Sequence, residues 1–549
     1  MKKIVIVGGV AGGATAAARL RRLSEEYRIV LFERGEYISF ANCGLPYYIG
    51  DVIRHRSQLL LQTALGMSKR FNLDLRIRTE VRAIHRERKR VVARDLRTGE
   101  EYEESYDTLI LSPGARPILP PLEGMDRAKA LFTLRTIPDA DRIKAYVEEE
   151  RPTSAVVIGG GFIGLEMAEN LARRGVKVSL VEMADHVLPP LDYEMAALIH
   201  AYLQGRGIQL YLKDGAEALE KEGRLLRLNS GKTLETDMII LAVGVQPESE
   251  LAKEAGLELG VRGAIQVNRR LQTSDPNIYA IGDAVEVKDY IHGLASHVPL
   301  AWPANRQGRL VADIIHGFDA QYTGTLGTAI VKLFGMTAAT TGNSEKTLKR
   351  LGVPYEAVHV FPSSHAAYYP NATPLALKLI FDRETGRIFG AQAVGEEGVD
   401  KRIDVIATAI KGGITVRELP DLELAYAPPF SSAKDPVNIA GYAATNILDQ
   451  LVEVLQWHEL EDHLAGGGLL LDVRNRQEVV SGGIPEAIHI PLDELRDRLA
   501  ELPKDKTICV MCQVGLRGYL AARILTENGF RVKNLDGGYQ LYSYARGIS

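Results

Sequence analysis

The sequence predicts an α/β protein with two Rossmann-like dinucleotide-binding domains. Residues 3–33 and 154–182 each run from a β-branched strand through a glycine-rich turn into a helix and then a second strand. At 549 residues the chain has room for roughly three to four domains of about 150 residues each. The apolar fraction of 46% and the charged fraction of 25% are those of an ordinary globular protein.

Composition excludes several classes of function. A formal net charge of −4 gives no reason to expect a nucleic acid or a membrane surface as partner, and no stretch reaches the ~18 apolar residues that a membrane span needs. Three cysteines are too few and too poorly spaced for a disulfide scaffold or a four-ligand zinc site. We therefore expect no metal, and we expect the reducing cytoplasm as compartment.

The first nucleotide-binding unit is "KKIVIVGGVAGGATAAARL", followed by the strand "YRIVLFERG". Read as G-x-G-x-x-G, it has Val10 at the middle position, with a glycine on either side of the gap. Glu33 ends the next strand about 20 residues later, where a carboxylate accepts hydrogen bonds from a ribose hydroxyl. The predicted cofactor-binding glycines are Gly8, Gly9, Gly12 and Gly13.

The second unit, "SAVVIGGGFIGLEMAENLARRGVKVSLVE", is a complete fingerprint. Its glycines are Gly159, Gly161 and Gly164, and Glu182 ends the next strand. A carboxylate there binds a ribose 2′-hydroxyl and repels a 2′-phosphate, so NADH is favoured over NADPH.

A further motif indicates which nucleotide each unit takes. "TSDPNIYAIGDA" (273–284) ends a strand at Asp283, whose carboxylate can bind a polyol chain. It resembles the second flavin motif of the pyridine nucleotide–disulfide oxidoreductases, and "LSPGARP" (111–117) and "LAVGVQP" (241–247) are similar to that family's crossing segments. The resemblance covers about residues 1–445. It implies FAD on the first fold, NAD(P)H on the second, and a homodimer.

Cys43 lies in "SFANCG" (39–44) without a second cysteine nearby. One thiol must pair with an outside thiol, or with oxygen as a sulfenate. The following "CGLPYYIGD" predicts a helix start with Pro46 in its first turn, which would lower the pKa of the thiol. The pattern resembles the single-cysteine branch of the family, which contains coenzyme A disulfide reductases, NADH oxidases and NADH peroxidases.

The first helix offers a candidate site for the outside thiol. Thr15, Arg19 and Arg22 are spaced to share one helix face, and two arginines a turn apart can grip a phosphate. Taken alone, such arginines are also typical of solvated surface. The resemblance to coenzyme A disulfide reductases implies that this face holds coenzyme A together with Ser39 and Asn42.

Signatures further along the chain extend this resemblance. "YYPN" (368–371) and "AYAPPFSSAKDPVN" (425–438) imply a tyrosine pair, Tyr368 and Tyr426, near the partner subunit's Cys43. Tyr369 is the alternative to Tyr368. The same resemblance implies substrate contacts from Lys434 and, in "PLAWPANRQGR", from Asn305. Where some relatives have a lysine for coenzyme A this chain has Phe71, so Lys69 or Arg70 is the substitute.

The tail carries a different chemistry. "DVRNRQEVVSGGIPEAIHIP" and "TICVMCQVGLRGYLAARIL" resemble the rhodanese fold. The loop from Cys512 to Arg517 joins a strand to a helix, so we expect backbone N–H groups and Arg517 to stabilise a thiolate and then a persulfide. Its C-x₄-R length favours sulfane sulfur, whereas C-x₅-R loops hold phosphate. Cys509 is expected to be buried and inert.

The resemblance gives a full domain assignment. An FAD-binding domain covers 1–113 and 248–325, an NAD(P)H-binding domain 114–247, an α+β dimerisation domain 326–445 and an α/β rhodanese domain 455–549. The whole is similar to fusions of coenzyme A disulfide reductase with rhodanese, the group that includes NADH-dependent persulfide reductases. The implied activity is NADH-dependent reduction of coenzyme A persulfide, polysulfide or disulfide. NADH oxidase or peroxidase activity and sulfur delivery to a partner protein are the alternatives.

Overall fold

A computed structural model describes residues 2–548, which fall into two compact units. The first contains the chain through Met183 together with Ile208–Gly327. The second contains Ala184–Gly207 together with the chain from Thr328 onward. Across residues 2–548, every helix is too short or too polar to span a membrane.

Two five-stranded parallel sheets form the frame of the first unit. In spatial order the strands of the first sheet are Ile278–Ala280, Thr108–Leu111, Lys3–Val7, Arg28–Glu33 and Asp74–Ile77. Those of the second are Gln209–Leu212, Lys177–Glu182, Ser154–Ile158, Met238–Leu241 and Leu131–Phe132. Each glycine turn follows the middle strand of its sheet, where strand order reverses, and in open parallel sheets this is the usual position of a ligand site.

The central strand Lys3–Val7 is apolar because both of its faces are covered. Ile4, Val5 and Ile6 are all fully buried, as expected for a parallel sheet between helices. The helices Ala11–Leu23 and Ala301–His316 pack so closely that a Cβ on Gly308 would lie 2.5 Å from the Gly12 carbonyl oxygen. Glycine at position 308 therefore permits the contact between these two helices.

Smaller elements complete the first unit. Ala115–Pro117 and Val245–Pro247, which lie in the two predicted crossing segments, pair as antiparallel strands. Three further antiparallel sheets are Thr79–His85 with Arg90–Asp95 and Glu101–Ser105, Ala216–Glu220 with Leu225–Leu228 and Thr233–Glu235, and Val287–Lys288 with Ala295–Ser296. The remaining α-helices are Leu45–Ile49, Ala64–Phe71, Ile137–Glu149, Phe162–Arg173 and Glu250–Glu254.

The second unit contains an antiparallel and a parallel sheet. In spatial order the antiparallel strands are Ala329–Leu333, Met336–Gly342, Ile388–Gly395, Leu375–Phe381 and Glu356–Val360. The parallel strands are Val454–Leu455, Arg531–Leu535, Thr507–Met511, Leu469–Asp472 and Ile488–His489. The α-helices are Tyr193–Gly205, Glu345–Leu351, Val399–Gly412, Pro436–Leu448, Leu460–Ala465, Arg476–Val480, Leu516–Glu527 and Gly538–Arg546.

A buried ionic cluster lies inside the second unit. Lys378 is fully buried, and its Nζ contacts Asp192 Oδ2 at 2.8 Å, Glu345 Oε1 at 2.6 Å and the Glu194 carboxylate. Burial alone would lower the pKa of Lys378, but the three carboxylates raise it well above its usual value. The carboxylates lie close enough together to share one cation, and the lysine ammonium is that cation.

His359 extends this cluster to the tail. Its Nδ1 lies 2.6 Å from Asp536 Oδ2, and its Nε2 lies 3.2 Å from Glu194 Oε1. Trp457 Nε1 donates to the other Glu194 oxygen at 3.3 Å. The helix Tyr193–Gly205, the antiparallel sheet and the parallel sheet therefore share one buried polar network.

Candidate active sites

Two positions of the first glycine turn have no room for a side chain. Gly8 has φ 98°, and a Cβ there would lie 2.0 Å from the Ser112 carbonyl oxygen. A Cβ on Gly13 would lie 1.9 Å from the Gly8 carbonyl oxygen. Glu33 accepts hydrogen bonds from the backbone N–H groups of Gly9 at 2.8 Å and Gly35 at 2.7 Å, so its carboxylate lies at the turn.

The second turn repeats this construction. Gly159 has φ 108°, and a Cβ on Gly164 would lie 2.0 Å from the Gly159 carbonyl oxygen. Glu182 accepts a hydrogen bond from the Gly160 N–H at 2.7 Å, as Glu33 does from Gly9. A Cβ on Gly161 would meet no protein atom within 4 Å, so this glycine leaves open space at the start of the helix Phe162–Arg173.

Asp283 lies in a short 3₁₀ helix, Gly282–Ala284, after the edge strand of the first sheet. Burial raises the pKa of its carboxyl to about 6, and Arg135 opposes this shift only partly. A half-buried carboxyl with a raised pKa is suited to accepting hydrogen bonds from a polar ligand. Together the closed glycine turns, the open Cβ position of Gly161 and this carboxyl fit the two predicted dinucleotide-binding sites.

Cys43 lies between two short helices. It is the middle residue of a 3₁₀ helix, Asn42–Gly44, and the helix Leu45–Ile49 follows with Pro46 in its first turn, as predicted. The Ser39 N–H donates to the Gly9 carbonyl at 3.0 Å, which ties the cysteine loop to the first glycine turn. Cys43 and Asn42 are exposed, and Ser39 is half-buried with φ 43°.

The prediction of a lowered pKa at Cys43 is wrong. Although Cys43 is exposed, the protein around its thiol removes enough water to raise the pKa. The carboxylates of Glu166 and Asp283 raise the pKa of the thiol further. A hydrogen bond with the backbone of Cys43 itself lowers the pKa by less. Glu166 is itself buried enough that its pKa rises to about 7, and the Tyr47 hydroxyl donates to it at 3.4 Å.

The first helix places its predicted substrate residues against a second helix. The Thr15 hydroxyl donates to Asn305 Oδ1 at 2.8 Å, so two residues 290 positions apart are in contact. Arg22 is exposed. Arg19 differs from the expected free cation, because its Nε donates to Asp313 Oδ1 at 2.7 Å in an ion pair. A phosphate bound by Arg19 therefore competes with Asp313.

The predicted tyrosine pair forms within the second unit. The Tyr368 and Tyr426 hydroxyl oxygens lie 2.9 Å apart, and this hydrogen bond raises the pKa of Tyr368. Tyr368 is 77% exposed and Tyr426 is 48% exposed. The alternative, Tyr369, packs edge-on against His365 instead, so Tyr368 is the member that contacts Tyr426. Lys434 is exposed.

The substitutes proposed for a missing lysine lie on the helix Ala64–Phe71. Lys69 and Arg70 are exposed in its last turn. Phe71 packs against the apolar core of the first sheet, and its carbonyl accepts a hydrogen bond from Arg21. Position 71 therefore supports the core rather than presenting a charge.

Cys512 directly follows the strand Thr507–Met511 and is buried. The Gly515 N–H donates to its Sγ at 3.1 Å, as expected for a loop that turns its amides toward the sulfur. The Tyr539 N–H donates to the Cys512 carbonyl at 2.8 Å, and a Cβ on Gly538 would lie 2.5 Å from that oxygen. Cys509 is fully buried, and burial raises the pKa of its thiol far above the usual value.

Arg517, in the first turn of its helix, forms an ion pair with a carboxylate. Its two terminal nitrogens donate to both Glu478 carboxylate oxygens, at 2.7 Å and 2.6 Å. Hydrogen bonding to Arg517 lowers the pKa of Glu478, and the charge expected to stabilise the Cys512 loop is balanced by this carboxylate. Sequence reasoning missed Glu478 as a partner of Arg517, although Glu478 is the first glutamate of the rhodanese-like segment "DVRNRQEVVSGGIPEAIHIP".

Comparisons with known proteins agree with the geometry. A family model described as pyridine nucleotide-disulphide oxidoreductase matches residues 2–308, and that family's dimerisation domain matches 328–436. A rhodanese-like domain matches 456–545. The predicted fold class is therefore confirmed. The family implies FAD and NAD(P)H, and the dimerisation domain indicates a homodimer.

Several proteins are similar over most of their length. The coenzyme A disulfide reductase of Staphylococcus aureus strain JH9 is 41% identical over 446 residues, which are 81% of this chain and 100% of that protein. The crystal structure of reduced Bacillus anthracis CoADR-RHD is 61% identical, with a TM-score of 0.98, over 100% of this chain and 98% of the other. An NAD-dependent persulfide reductase from A. fulgidus is 40% identical, with a TM-score of 0.92, over 98% of this chain and 100% of the other. The glycine turns, the single exposed cysteine and these matches together show that the chain belongs to the pyridine nucleotide-disulphide oxidoreductases.

Proposed function

We propose that this protein uses NADH to reduce coenzyme A disulfide and coenzyme A persulfide or polysulfide through Cys43, while its rhodanese domain handles sulfane sulfur. The observation that carries the proposal is the position of Cys43. It is an exposed thiol whose loop is hydrogen-bonded to the first glycine turn through Ser39 and Gly9. The similar proteins named for coenzyme A disulfide and persulfide reduction support the choice of substrates.

The chemistry assigned to Cys43 is thiol–disulfide exchange. Its thiolate attacks one sulfur of the substrate disulfide, a Cys43–coenzyme A disulfide forms, and coenzyme A leaves as a thiolate. FAD, when bound, supplies the transfer of two electrons from NADH to a disulfide at this position. The hydrogen-bonded hydroxyls of Tyr368 and Tyr426, which the resemblance implies lie near the partner subunit's Cys43, are proposed to protonate the thiolate that leaves.

The proposed substrate contacts follow from the helix pair of the first unit. Thr15, Asn305 and Arg22 lie on the two adjoining helices, with Ser39 and Asn42 on the cysteine loop. Lys434 is a further proposed substrate contact, implied by the same resemblance. Preference for NADH over NADPH is assigned to Glu182, whose carboxylate at the second turn opposes a 2′-phosphate.

Substitution of Cys43 by serine tests the proposal. We expect Cys43→Ser to bind FAD and to bleach it with NADH as the wild type does, but to lose ~10³-fold or more of its anaerobic turnover with coenzyme A disulfide and persulfide. The nucleotide sites do not need the sulfur, whereas the exchange does.

The control for this experiment is Cys509→Ala, because Cys509 is a fully buried thiol of the tail. It is expected to keep turnover with coenzyme A disulfide. Retained turnover in Cys43→Ser would remove this residue from the reaction. A wild-type enzyme that reduces peroxide or oxygen faster than any sulfur substrate would favour the oxidase or peroxidase alternative.

A further inference from the structure

The ion pair beside Cys512 is fixed from both sides. Glu478 accepts both Arg517 donors at 2.7 Å and 2.6 Å, in the bidentate geometry that matches a guanidinium to a carboxylate. Glu478 Oε2 also accepts the Asn475 N–H at 2.9 Å, which closes a capping box at the start of the helix Arg476–Val480. The carboxylate is therefore held in place before any substrate arrives.

A second arginine at the loop is also neutralised. Arg474 is buried, and it donates to Asp472 through Nε and through a terminal nitrogen, the latter at 2.7 Å. Its other terminal nitrogen donates to Gln513 Oε1 at 3.2 Å, which fixes the residue after Cys512. Both arginines that adjoin the loop are therefore paired with carboxylates.

Exposed apolar side chains lie near this ion pair in sequence. Leu516, adjacent to Arg517, is 68% exposed, and Leu520, one turn further along the same helix, is 45% exposed. Val480, two residues after Glu478, is 88% exposed. A compact oxyanion gains nothing from such surfaces, whereas the organic part of a thiol compound can contact them.

We propose that Cys512 accepts sulfane sulfur from hydropersulfides of organic thiols and discriminates against oxyanion donors such as thiosulfate, with Glu478 as the residue that sets this preference. The inference rests on the proposed function for the role of Cys512 and names its class of donor. A sulfonate group next to the sulfur is favoured by an unpaired cation, and Glu478 places a negative charge against both terminal nitrogens of Arg517.

The transfer step is balanced for either donor. The Cys512 thiolate attacks the outer sulfur of R–S–SH, a Cys512 S–S bond forms, the donor's S–S bond breaks, and the organic thiolate leaves. With thiosulfate the same attack expels sulfite. No net electrons are exchanged with an outside oxidant or reductant in either case, because sulfane sulfur is passed between thiolates.

The experiment measures sulfur transfer to cyanide by the full-length protein, with thiocyanate as product. Glutathione hydropersulfide and thiosulfate are compared as donors, and Cys512→Ser supplies the background rate. For the wild type we expect kcat/KM to be at least about tenfold higher with the hydropersulfide. Glu478→Gln keeps an oxygen for the capping box but removes the negative charge, so it should shift the donor ratio about tenfold or more toward thiosulfate.

Two controls match this change. Glu478→Asp keeps the charge, and its donor ratio should stay near that of the wild type. Glu501→Gln disrupts another bidentate pair of the same domain, with Arg498 at 2.7 Å and 2.8 Å, and should leave the ratio unchanged.

A wild type that prefers thiosulfate would overturn the proposal, and this arm does not depend on the folding of any variant. An unchanged ratio in Glu478→Gln, or an equal shift in Glu501→Gln, would also overturn it. The assay needs neither NADH nor Cys43, so it succeeds or fails independently of the Cys43→Ser test.

Discussion

The local charges around Cys43 oppose the ionisation that its chemistry needs. The thiolate is the nucleophile in disulfide exchange, and the nearby carboxylates Glu166 and Asp283 repel it. Glu166 has a pKa near 7 and is therefore half-charged close to neutrality. The reactivity of Cys43 thus depends on the protonation of Glu166 as well as on its own.

We predict that Glu166→Gln makes Cys43 more reactive at pH values above about 7, where the wild-type carboxylate is charged. Removing that charge lowers the pKa of the thiol. The pH at which the alkylation rate of Cys43 begins to increase should therefore be lower in the variant than in the wild type. The rate with iodoacetamide, followed on the Cys43 peptide by mass spectrometry, measures this shift.

Glu149→Gln is the control, because Glu149 is an exposed carboxylate at the end of a different helix, Ile137–Glu149. It should leave the alkylation profile of Cys43 in place. A profile that moves to higher pH in Glu166→Gln, or moves equally in both variants, would contradict the electrostatic explanation.

The sequence identified the candidate site residues more reliably than the ion-pair partners and neighbouring charges of those residues. Cys43, Cys512 and the Tyr368–Tyr426 pair follow from motifs, and the structure gives each a geometry compatible with its predicted role. The ion pair of Arg19 with Asp313 joins residues 294 positions apart, and no local pattern announces it. The raised pKa of Cys43 has the same origin, since Glu166 and Asp283 come from distant segments.

The strand–turn–helix elements show why glycines of one motif differ in function. Gly164 closes the second turn, because any Cβ there would collide with the Gly159 carbonyl oxygen at 2.0 Å. Gly161 has φ −77°, which any residue can adopt, and it has open space at its Cβ. One glycine therefore serves the fold, and the other leaves room for a ligand.

We predict that two alanine substitutions in this element affect different quantities, one the stability of the protein and the other the KM for NADH. Gly164→Ala should destabilise the protein by a few kcal/mol, because a backbone atom must move to relieve the collision. Gly161→Ala should keep the wild-type unfolding midpoint while raising KM for NADH about tenfold, since a methyl group would occupy the space left for the pyrophosphate.

Urea unfolding and NADH-dependent bleaching of the bound flavin separate the two effects. Gly205→Ala is a matched control, because Gly205 also has no protein atom within 4 Å of its Cβ position but lies at the end of another helix. It should change neither quantity. Equal loss of stability in Gly161→Ala and Gly164→Ala would refute the distinction.

Strands and helices were predictable where a motif combines a regular pattern of apolar residues with a glycine-rich turn. The two fingerprints gave the central strands and their following helices, and the crossing segments were predicted and pair with each other. The helix Tyr193–Gly205 was less predictable. It lies inside the range assigned to NAD(P)H binding, yet it packs in the second unit because its buried Glu194 meets Lys378 and His359 there.

At the scale of the whole molecule, the network around Lys378 and His359 joins parts of the chain that its sequence motifs treat as separate. His359 lies on the antiparallel sheet, Asp536 follows the last strand of the tail, and Glu194 belongs to the helix Tyr193–Gly205. All three side chains are buried. Buried charges of this kind stabilise only while each has its partner, so protonation of His359 is coupled to the folding of the second unit.

We predict that this coupling makes the second unit less stable as pH rises. Burial alone would lower the pKa of His359, but Asp536 and Glu194 raise it from 6.5 to about 9. A group with a raised pKa in the folded state contributes its full stabilisation below the unfolded value and loses it as pH passes the folded value. The free energy of unfolding should therefore fall by about 3 kcal/mol between about pH 6 and pH 9.5 through this residue.

Fluorescence of Trp457 reports on the network directly, because its indole donates to Glu194 and stacks on Tyr193 at 5.7 Å. The chain has two tryptophans, so Trp302→Phe provides a background in which urea unfolding follows Trp457 alone.

His359→Gln in that background should be less stable at the lower pH and should lose most of the pH dependence. His365→Gln, which changes a buried histidine whose ring contacts the Ala366 carbonyl, should keep it. A wild-type stability that rises across this pH range, or a slope that His359→Gln leaves intact, would show that the protonated histidine does not hold these segments together.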